Sequence, residues 1–574
     1  MLALCFFVPL IAIAVAGCDS RPSKPVEKAS EPAPRFRNAT LPQEPKHAPA
    51  EVRTDDWFEE QLLPVEYHDG REAGLYSLVE TVGGGTALFD YDRDGSIEVL
   101  VCGGGTFSES APHVLGRPAS LVRYPEGTDV TRLARLADQR LYSHGCAVGD
   151  FDSDGFADLL IAGYGGVQVF QNLGDGTFQE VSEVLRIMTE GWQTGGAWAD
   201  VNGDGLLDLF VMNYAAWNYD PKQQCINDLN LRDVCPPPRY EGQADQLFLN
   251  RGDGTFAEVS SKAGVRPFQE RGLGIVAADW NQDGRIDFYV ANDVQENRLF
   301  LGQPEFPFQE EALLKGVALS ADGQRQGSMG VAVGDYNRDG WLDLYWANFA
   351  TEDNSLFRND TVGGFIDDTV PMGTSGMFRP WVGFGSLLAD FDSDGWLDLL
   401  VANGHVAYER QDAPYFQPPQ LARNLAGQRF RDVSLTGGSY FRSSHAGRGA
   451  ATADLNGDGA LDVVIVHQSA PVSVLLNRRT PTAWLGVQLV GTACHRDAVG
   501  ARIRLADEQP IQARFVVGGG SFVSHSDQRA LFPLSESRPR DVIVDWPQGG
   551  SERFTALSPK QWHVLRQGYG QRME

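Results

Sequence analysis

Asp390-Phe391-Asp392-Ser393-Asp394-Gly395-Trp396-Leu397-Asp398 is the stretch from which the fold can be read. Acids stand at positions 1, 3, 5 and 9, and glycine at position 6. Alternate oxygen side chains in a tight turn face one point, and the glycine permits the reversal, so the pattern is that of a loop wrapped around a hard cation. Position 7 would add its main-chain carbonyl. With Asp or Asn at positions 1, 3 and 5 and Asp or Glu at position 9, the pattern occurs seven times. The candidate ligands are Asp90, Asp92, Asp94, Ser96 and Glu98; Asp150, Asp152, Asp154, Phe156 and Asp158; Asp200, Asn202, Asp204, Leu206 and Asp208; Asp279, Asn281, Asp283, Arg285 and Asp287; Asp335, Asn337, Asp339, Trp341 and Asp343; Asp390, Asp392, Asp394, Trp396 and Asp398; and Asp454, Asn456, Asp458, Ala460 and Asp462. The side chains at position 7 share no chemistry, as a main-chain ligand allows.

An EF-hand also begins with alternating acids and a glycine, but it requires a bidentate glutamate at position 12 and flanking helices. Position 12 here is Val101, Ile161, Val211, Val290, Trp346, Val401 and Ile465. All are apolar, so that reading fails. Each loop runs instead into a short buried strand such as Leu159-Leu160-Ile161. A Gly-rich small-apolar strand precedes it, as in Gly195-Gly196-Ala197-Trp198-Ala199. Asp-Gly hairpins follow several copies, at Asn172-Leu173-Gly174-Asp175-Gly176 and Asn250-Arg251-Gly252-Asp253-Gly254. About four short strands per repeat make one propeller blade. The expectation is an all-β chain: a seven-bladed β-propeller over residues 51–480, with a small β domain at 481–568. Oxygen-only, flexible ligand sets favour calcium, up to seven ions.

The chain has 574 residues, with 76 Asp and Glu against 48 Lys and Arg, for a net charge of -28. The loops hold 24 of those acids, so much of the excess has a place in cation sites. Nucleic acid is excluded as a partner, because phosphate binding needs clustered Lys and Arg.

The first 18 residues end an apolar run in Val15-Ala16-Gly17-Cys18. The run is shorter than a membrane span and reads as an export signal. It resembles the bacterial lipoprotein signal, which implies lipidation of Cys18 and a membrane contact through that anchor only. Residues 19–50 are rich in Pro, Ala, Lys and Glu and read as a disordered tether. The protein is thus expected in the cell envelope, on its periplasmic or extracellular face. In an exported protein Cys225 and Cys235, flanking a polar, proline-rich insertion, suit a disulfide.

The loops resemble the FG-GAP/VCBS repeats of integrin α-chain propellers and bacterial surface proteins. Trp484-Leu485-Gly486-Val487, His495 to Arg502, Gly518-Gly519-Gly520-Ser521-Phe522, Ser524-His525-Ser526-Asp527 and Val544-Asp545-Trp546-Pro547 resemble the ASPIC/UnbV domain. That domain follows an FG-GAP propeller in bacterial homologues of cartilage acidic protein. The resemblance implies a calcium-binding, extracellular protein and no firm activity.

Arg251-Gly252-Asp253 spells an adhesion tripeptide, but it is also the repeat's own hairpin. His144, His405 and His525 could line a site, with the buried or surface histidine as the simpler reading. There is no zinc spacing, nucleophile elbow, phosphate loop or dinucleotide fingerprint. Every strong motif is accounted for by metal-supported folding. The functional expectation is therefore a rigid, calcium-binding interaction module for a protein or glycan partner. The alternative is an enzyme with its site in the propeller channel or against the C-terminal domain, and a convergence of the three histidines would favour it.

Overall fold

The computed structural model describes residues 37–43 and 53–573, apart from 109–112, 139–140, 221, 362–363 and 412. The signal segment and Cys18 lie outside the described residues, as does most of the tether. Residues 37–43, expected in the tether, pack on the folded body: Asn38 bridges to Arg232, Ala39 is buried, and the Thr40 N–H donates to Glu409 Oε1 (2.5 Å).

The chain is all-β, built from propeller-type repeats. Seven sheets each contain four antiparallel strands of the repeat region. In the second, Tyr142–Gly149, Asp158–Tyr164, Gly166–Asn172 and Phe178–Glu180 pair in chain order. The first strand of most sheets is small and glycine-rich, as in Gln193–Ala199 and Gly447–Ala453, because it runs innermost; Thr86–Phe89 has no glycine itself but follows Gly83, Gly84 and Gly85. These inner strands neighbour one another in chain order, and the last, Gly447–Ala453, lies beside the first, Thr86–Phe89. The seventh sheet takes its fourth strand from the other end of the fold: Phe58–Glu66 pairs with Ala470–Asn477. Large apolar side chains such as Trp198, Trp346 and Phe391 fill the space between sheets.

The third sheet carries the long insertion between Asp208–Asn213 and Gln246–Asn250. Within it Cys225 and Cys235 are joined by a disulfide, their Cα atoms 5.0 Å apart. Free Cys102, Cys146 and Cys494 are buried.

The C-terminal unit has a three-stranded sheet centred on Ala483–Val490 and a five-stranded sheet that ends at Gln571–Met573, past the expected boundary at 568. A segment of this unit leaves it and enters the centre of the repeat ring. Gly518–Gly519 pairs with Gly272–Ala278. The Gly520 N–H donates to Ile275 O (2.8 Å), Ser521 exchanges hydrogen bonds with Val331, Val523 O accepts from Cys146, His525 pairs with Thr86 and Leu88, and the Asp527 N–H donates to Thr452 O. Phe522 sits edge-on to Phe384, centroids 4.9 Å apart. Residues 518–527 thereby touch the innermost strand of all seven sheets, because Gly518 also lies against Trp198 O. A Cβ at Gly518 would stand 2.5 Å from that oxygen, and one at Gly519 would stand 2.4 Å from Ile275 O. Only glycine permits this approach.

Candidate cation loops

Each Asp/Asn loop joins the first strand of a sheet to the second. The seven loops share one hydrogen-bond frame. Gly95, Gly155, Gly205, Gly284, Gly340, Gly395 and Gly459 hold φ between 84° and 98°. Their N–H groups donate to the position-1 carboxylate at 2.8–3.1 Å. The position-7 N–H of Ser96, Phe156, Leu206, Arg285, Trp341, Trp396 and Ala460 donates to Oδ1 of position 5 in every copy. Position 9 is buried in every copy and accepts backbone hydrogen bonds. The N–H of position 2 donates to one of its oxygens, and in six loops the third strand supplies a second N–H, as Asn172 does to Asp158 Oδ1 (2.8 Å).

Position 3 divides the loops. Where it is Asn, the loop satisfies itself: Asn202, Asn281, Asn337 and Asn456 each donate Nδ2 to Oδ2 of position 5 at 2.9–3.1 Å. Where it is Asp, it does not. Asp90 Oδ1, Asp92 Oδ1, Asp150 Oδ1 and Asp392 Oδ1 are buried without a hydrogen-bond partner. Ligand oxygens of Asp90, Asp92 and Asp94, of Asp150, Asp152 and Asp158, and of Asp390, Asp392 and Asp398 lie within 4.8 Å of one another. The unpartnered Oδ1 atoms of Asp90, Asp92, Asp150 and Asp392 sit in these clusters beside carboxylates already held by backbone N–H groups or, at Asp92 and Asp392, by Arg123 and Arg423; an oxygen-only set of this kind suits a hard dication. Burial pushes the carboxyls up: Asp158 to about 9, Asp462 and Glu98 to about 8, and Asp335 and Asp390 to about 7. Asp150 also rises to about 7, through burial first and neighbouring Asp497 second. A bound dication would keep such groups ionised.

The C-terminal unit lies on this loop face. Asp497 Oδ2 accepts the Asp150 N–H (2.9 Å), Gln548 Nε2 donates to Asp200 Oδ2 (2.6 Å), and Arg496 pairs with Asp150 (3.3 Å). The Arg502 guanidinium reaches Gly340 O (3.0 Å), and the half-buried Arg514 stands 3.9 Å from Asp390.

A model described as FG-GAP-like repeat matches residues 150–211, 239–290, 279–346, 335–401 and 390–465, together half of the chain. The chain belongs to the FG-GAP repeat family. A second model, ASPIC and UnbV, matches residues 491–572. Cartilage acidic protein 1 of Mus musculus is 24% identical over 518 residues, 85% of this chain and 74% of that protein. The Homo sapiens protein of the same name is 24% identical over 489 residues, 81% of this chain and 69% of its own. Among solved structures, an Agrocybe aegerita lectin that recognises non-reducing terminal N-acetylglucosamine aligns at 15% identity over 68% of this chain and 87% of its own, with a TM-score of 0.38.

The FG-GAP match begins at Asp150, so the Asp90 loop lies outside it although its hydrogen-bond frame is the same. The repeats also hold an asparagine whose role is invisible in one repeat alone. Asn172, Asn250, Asn359, Asn424 and Asn477 each donate Nδ2 to the position-2 carbonyl of the preceding loop (2.8–3.0 Å) and to a carbonyl of their own sheet. They staple one sheet to the next. The fourth sheet has Gly302 there instead.

His144, His405 and His525 do not converge. His405 lines a cavity on the face away from the loops, His525 lines a polar cleft beside Asp90 and Asp150, and His144 lines neither. Burial lowers His144 and His525 to about 4. Residues 518–527 occupy the ring centre, their backbone paired with the inner strands. Arg251-Gly252-Asp253 is the tip of a hairpin closed by Arg251 N–H to Thr255 O (3.0 Å). Among the described residues no helix is long and apolar enough to cross a membrane.

Proposed function

We propose that this protein is an exported, lipid-anchored interaction module whose seven sheets form a seven-bladed propeller held by calcium, presenting a rigid surface to a protein or glycan partner. The observation that carries the reading is the set of partnerless buried carboxylate oxygens at Asp90, Asp92, Asp150 and Asp392. All four belong to loops with Asp at position 3, so the first, second and sixth loops are the strongest sites. Asn202, Asn281, Asn337 and Asn456 would have to turn their amide oxygens inward to add a ligand. Support for export comes from the residues ending at Cys18, and for an interaction role from the absorption of every repeated motif into the scaffold.

The test is thermal unfolding of the chain in millimolar calcium and in chelator, with bound metal counted by elemental analysis. Several ions per chain and a midpoint raised by calcium are expected, and Asp392→Asn should lower the count by one. A chain that holds no metal and unfolds alike in both conditions would overturn the calcium reading.

A further inference from the structure

On the face opposite the aspartate loops lies a cavity of about 440 Å³. Its floor is the edge-to-face pair Phe384 and Phe522, where the tip of the 518–527 segment meets the sixth sheet. Its walls include Val82, Leu273 and Met329, all buried. Its outer wall is the disulfide-bridged insertion, Cys225 to Cys235 followed by Pro236, Pro237 and Pro238. The one segment that breaks the regular spacing of the repeats therefore encloses this space. Of the residues that line it, Ile226 and Val294 are 38% and 37% exposed.

One wall is acidic. Asp293 pairs with Gly327 along the backbone, and its Oδ1 stands 3.6 Å from the point where a Gly327 Cβ would lie. Glu352 Oε2 accepts the Gly327 N–H (2.9 Å) and the Phe349 N–H (3.3 Å). Two carboxylates thus meet at Gly327 beside the Phe349 ring. Tyr214 OH donates to Asp293 Oδ2 (2.6 Å) and holds it in place. Burial raises both carboxyls, and the Asp293 charge adds to the rise at Glu352. The cationic groups nearby each have partners, though Arg271 and Arg379 offset part of the rise at Asp293 and Glu352. Arg410 stands 3.7 Å from Asp228. Arg448 lies over Phe384 and donates to the carbonyls of Thr81, Gly404, Gly447 and His405. Arg271 donates to the Asp293 and Tyr240 carbonyls.

We propose that this cavity binds a small organic cation, an amine with an aromatic or branched apolar body. Its ammonium is set against Asp293 and Glu352, and its body against Phe349, Phe384 and Phe522. The volume lies in the range of small-molecule sites, roughly 300–1,000 Å³. Aromatic faces and carboxylates together recognise an ammonium, while an anion would meet two carboxylates and no uncommitted guanidinium. The site is separate from the aspartate loops and does not depend on calcium.

Isothermal titration of the full chain, in calcium buffer, tests this with tryptamine, phenyltrimethylammonium and, as the charge-reversed control, indoleacetate. At least one cation should bind about tenfold or more tighter than indoleacetate. Glu352→Gln and Asp293→Asn should each weaken it by about tenfold or more, the loss expected for a charged partner. Val406→Trp, at the partly exposed edge of the cavity, should abolish binding with the thermal midpoint unchanged. The proposal is overturned if neither cation binds, if indoleacetate binds equally well, or if Val406→Trp leaves binding intact.

Discussion

Replacing Phe522 by alanine removes the phenyl ring that the segment 518–527 places inside the repeat ring. Phe522 is fully buried, and its edge contact with Phe384 goes with it. Phe→Ala in a core costs about 3–5 kcal/mol, least where the surroundings can collapse into the space. Here they cannot: the segment is already in backbone contact with the walls, so close that a Cβ on Gly85 would stand 1.8 Å from Val523 O. The upper part of that range is therefore expected. If the loss falls on the docking of residues 518–527, their open state gains about three to three and a half powers of ten, at about 1.4 kcal/mol per tenfold. Hydrogen exchange reads this directly, because the Gly520, Ser521 and His525 amides donate to Ile275, Val331 and Thr86. Their protection should fall by that factor while the outer strands of the sheets keep theirs. Phe522→Leu should cost markedly less. Exchange of 518–527 at the rate of an open loop in the unmodified chain, or an unchanged rate in Phe522→Ala, would refute the reasoning.

Two further outcomes follow from the loops and the staples. In chelator, Asp158, Asp462 and Glu98 hold protons up to about pH 9, 8 and 8 in the folded chain but release them near their ordinary values when unfolded. Their contribution is complete below about pH 4 and lost as pH rises towards 8–9, so the calcium-free thermal midpoint should fall between pH 5 and pH 9; a flat profile counts against it. Asn424→Ala should destabilise by about 1–3 kcal/mol, because it leaves the Tyr336 and Leu397 carbonyls without their shared donor; denaturant titration within a few tenths of the unmodified chain would show that the staple carries no load.

Much of the fold was legible because its determinants are local. Position 6 needs positive φ, so it reads as Gly; positions 8 and 10 to 12 enter a buried strand, so they read as apolar. The apolar residue at position 12 of every copy excludes the EF-hand from the sequence alone. What was not legible depends on distant partners. Asp158 reads as a ligand from its place in the loop, yet its two oxygens are taken by the Phe151 and Asn172 amides, and Asn172 lies on another strand. Asn172 itself looks like a hairpin residue until the neighbouring sheet is present to receive its amide. Gly518 to Phe522 carries a family resemblance but no period, so nothing local says that it enters the ring. The cavity has no sequence signal at all, since Gly327, Glu352, Phe384 and Cys225 are brought together only by the arrangement of separate sheets. The division between Asp92, Asp152 and Asp392 on one side and Asn202, Asn281, Asn337 and Asn456 on the other was visible, but its meaning depended on which oxygens found donors.

Phe58–Glu66 and Ala470–Asn477 share the seventh sheet. A chain made from its N-terminus presents the first of these strands early and must wait for the second until nearly every other repeat has been synthesised. During that interval the early strand is an unpaired edge, open to the wrong neighbour. The long delay makes translation rate and the shielding of one nine-residue strand a determinant of yield, and a chain stopped before Ala470 would have neither this clasp nor the segment at the centre of the ring.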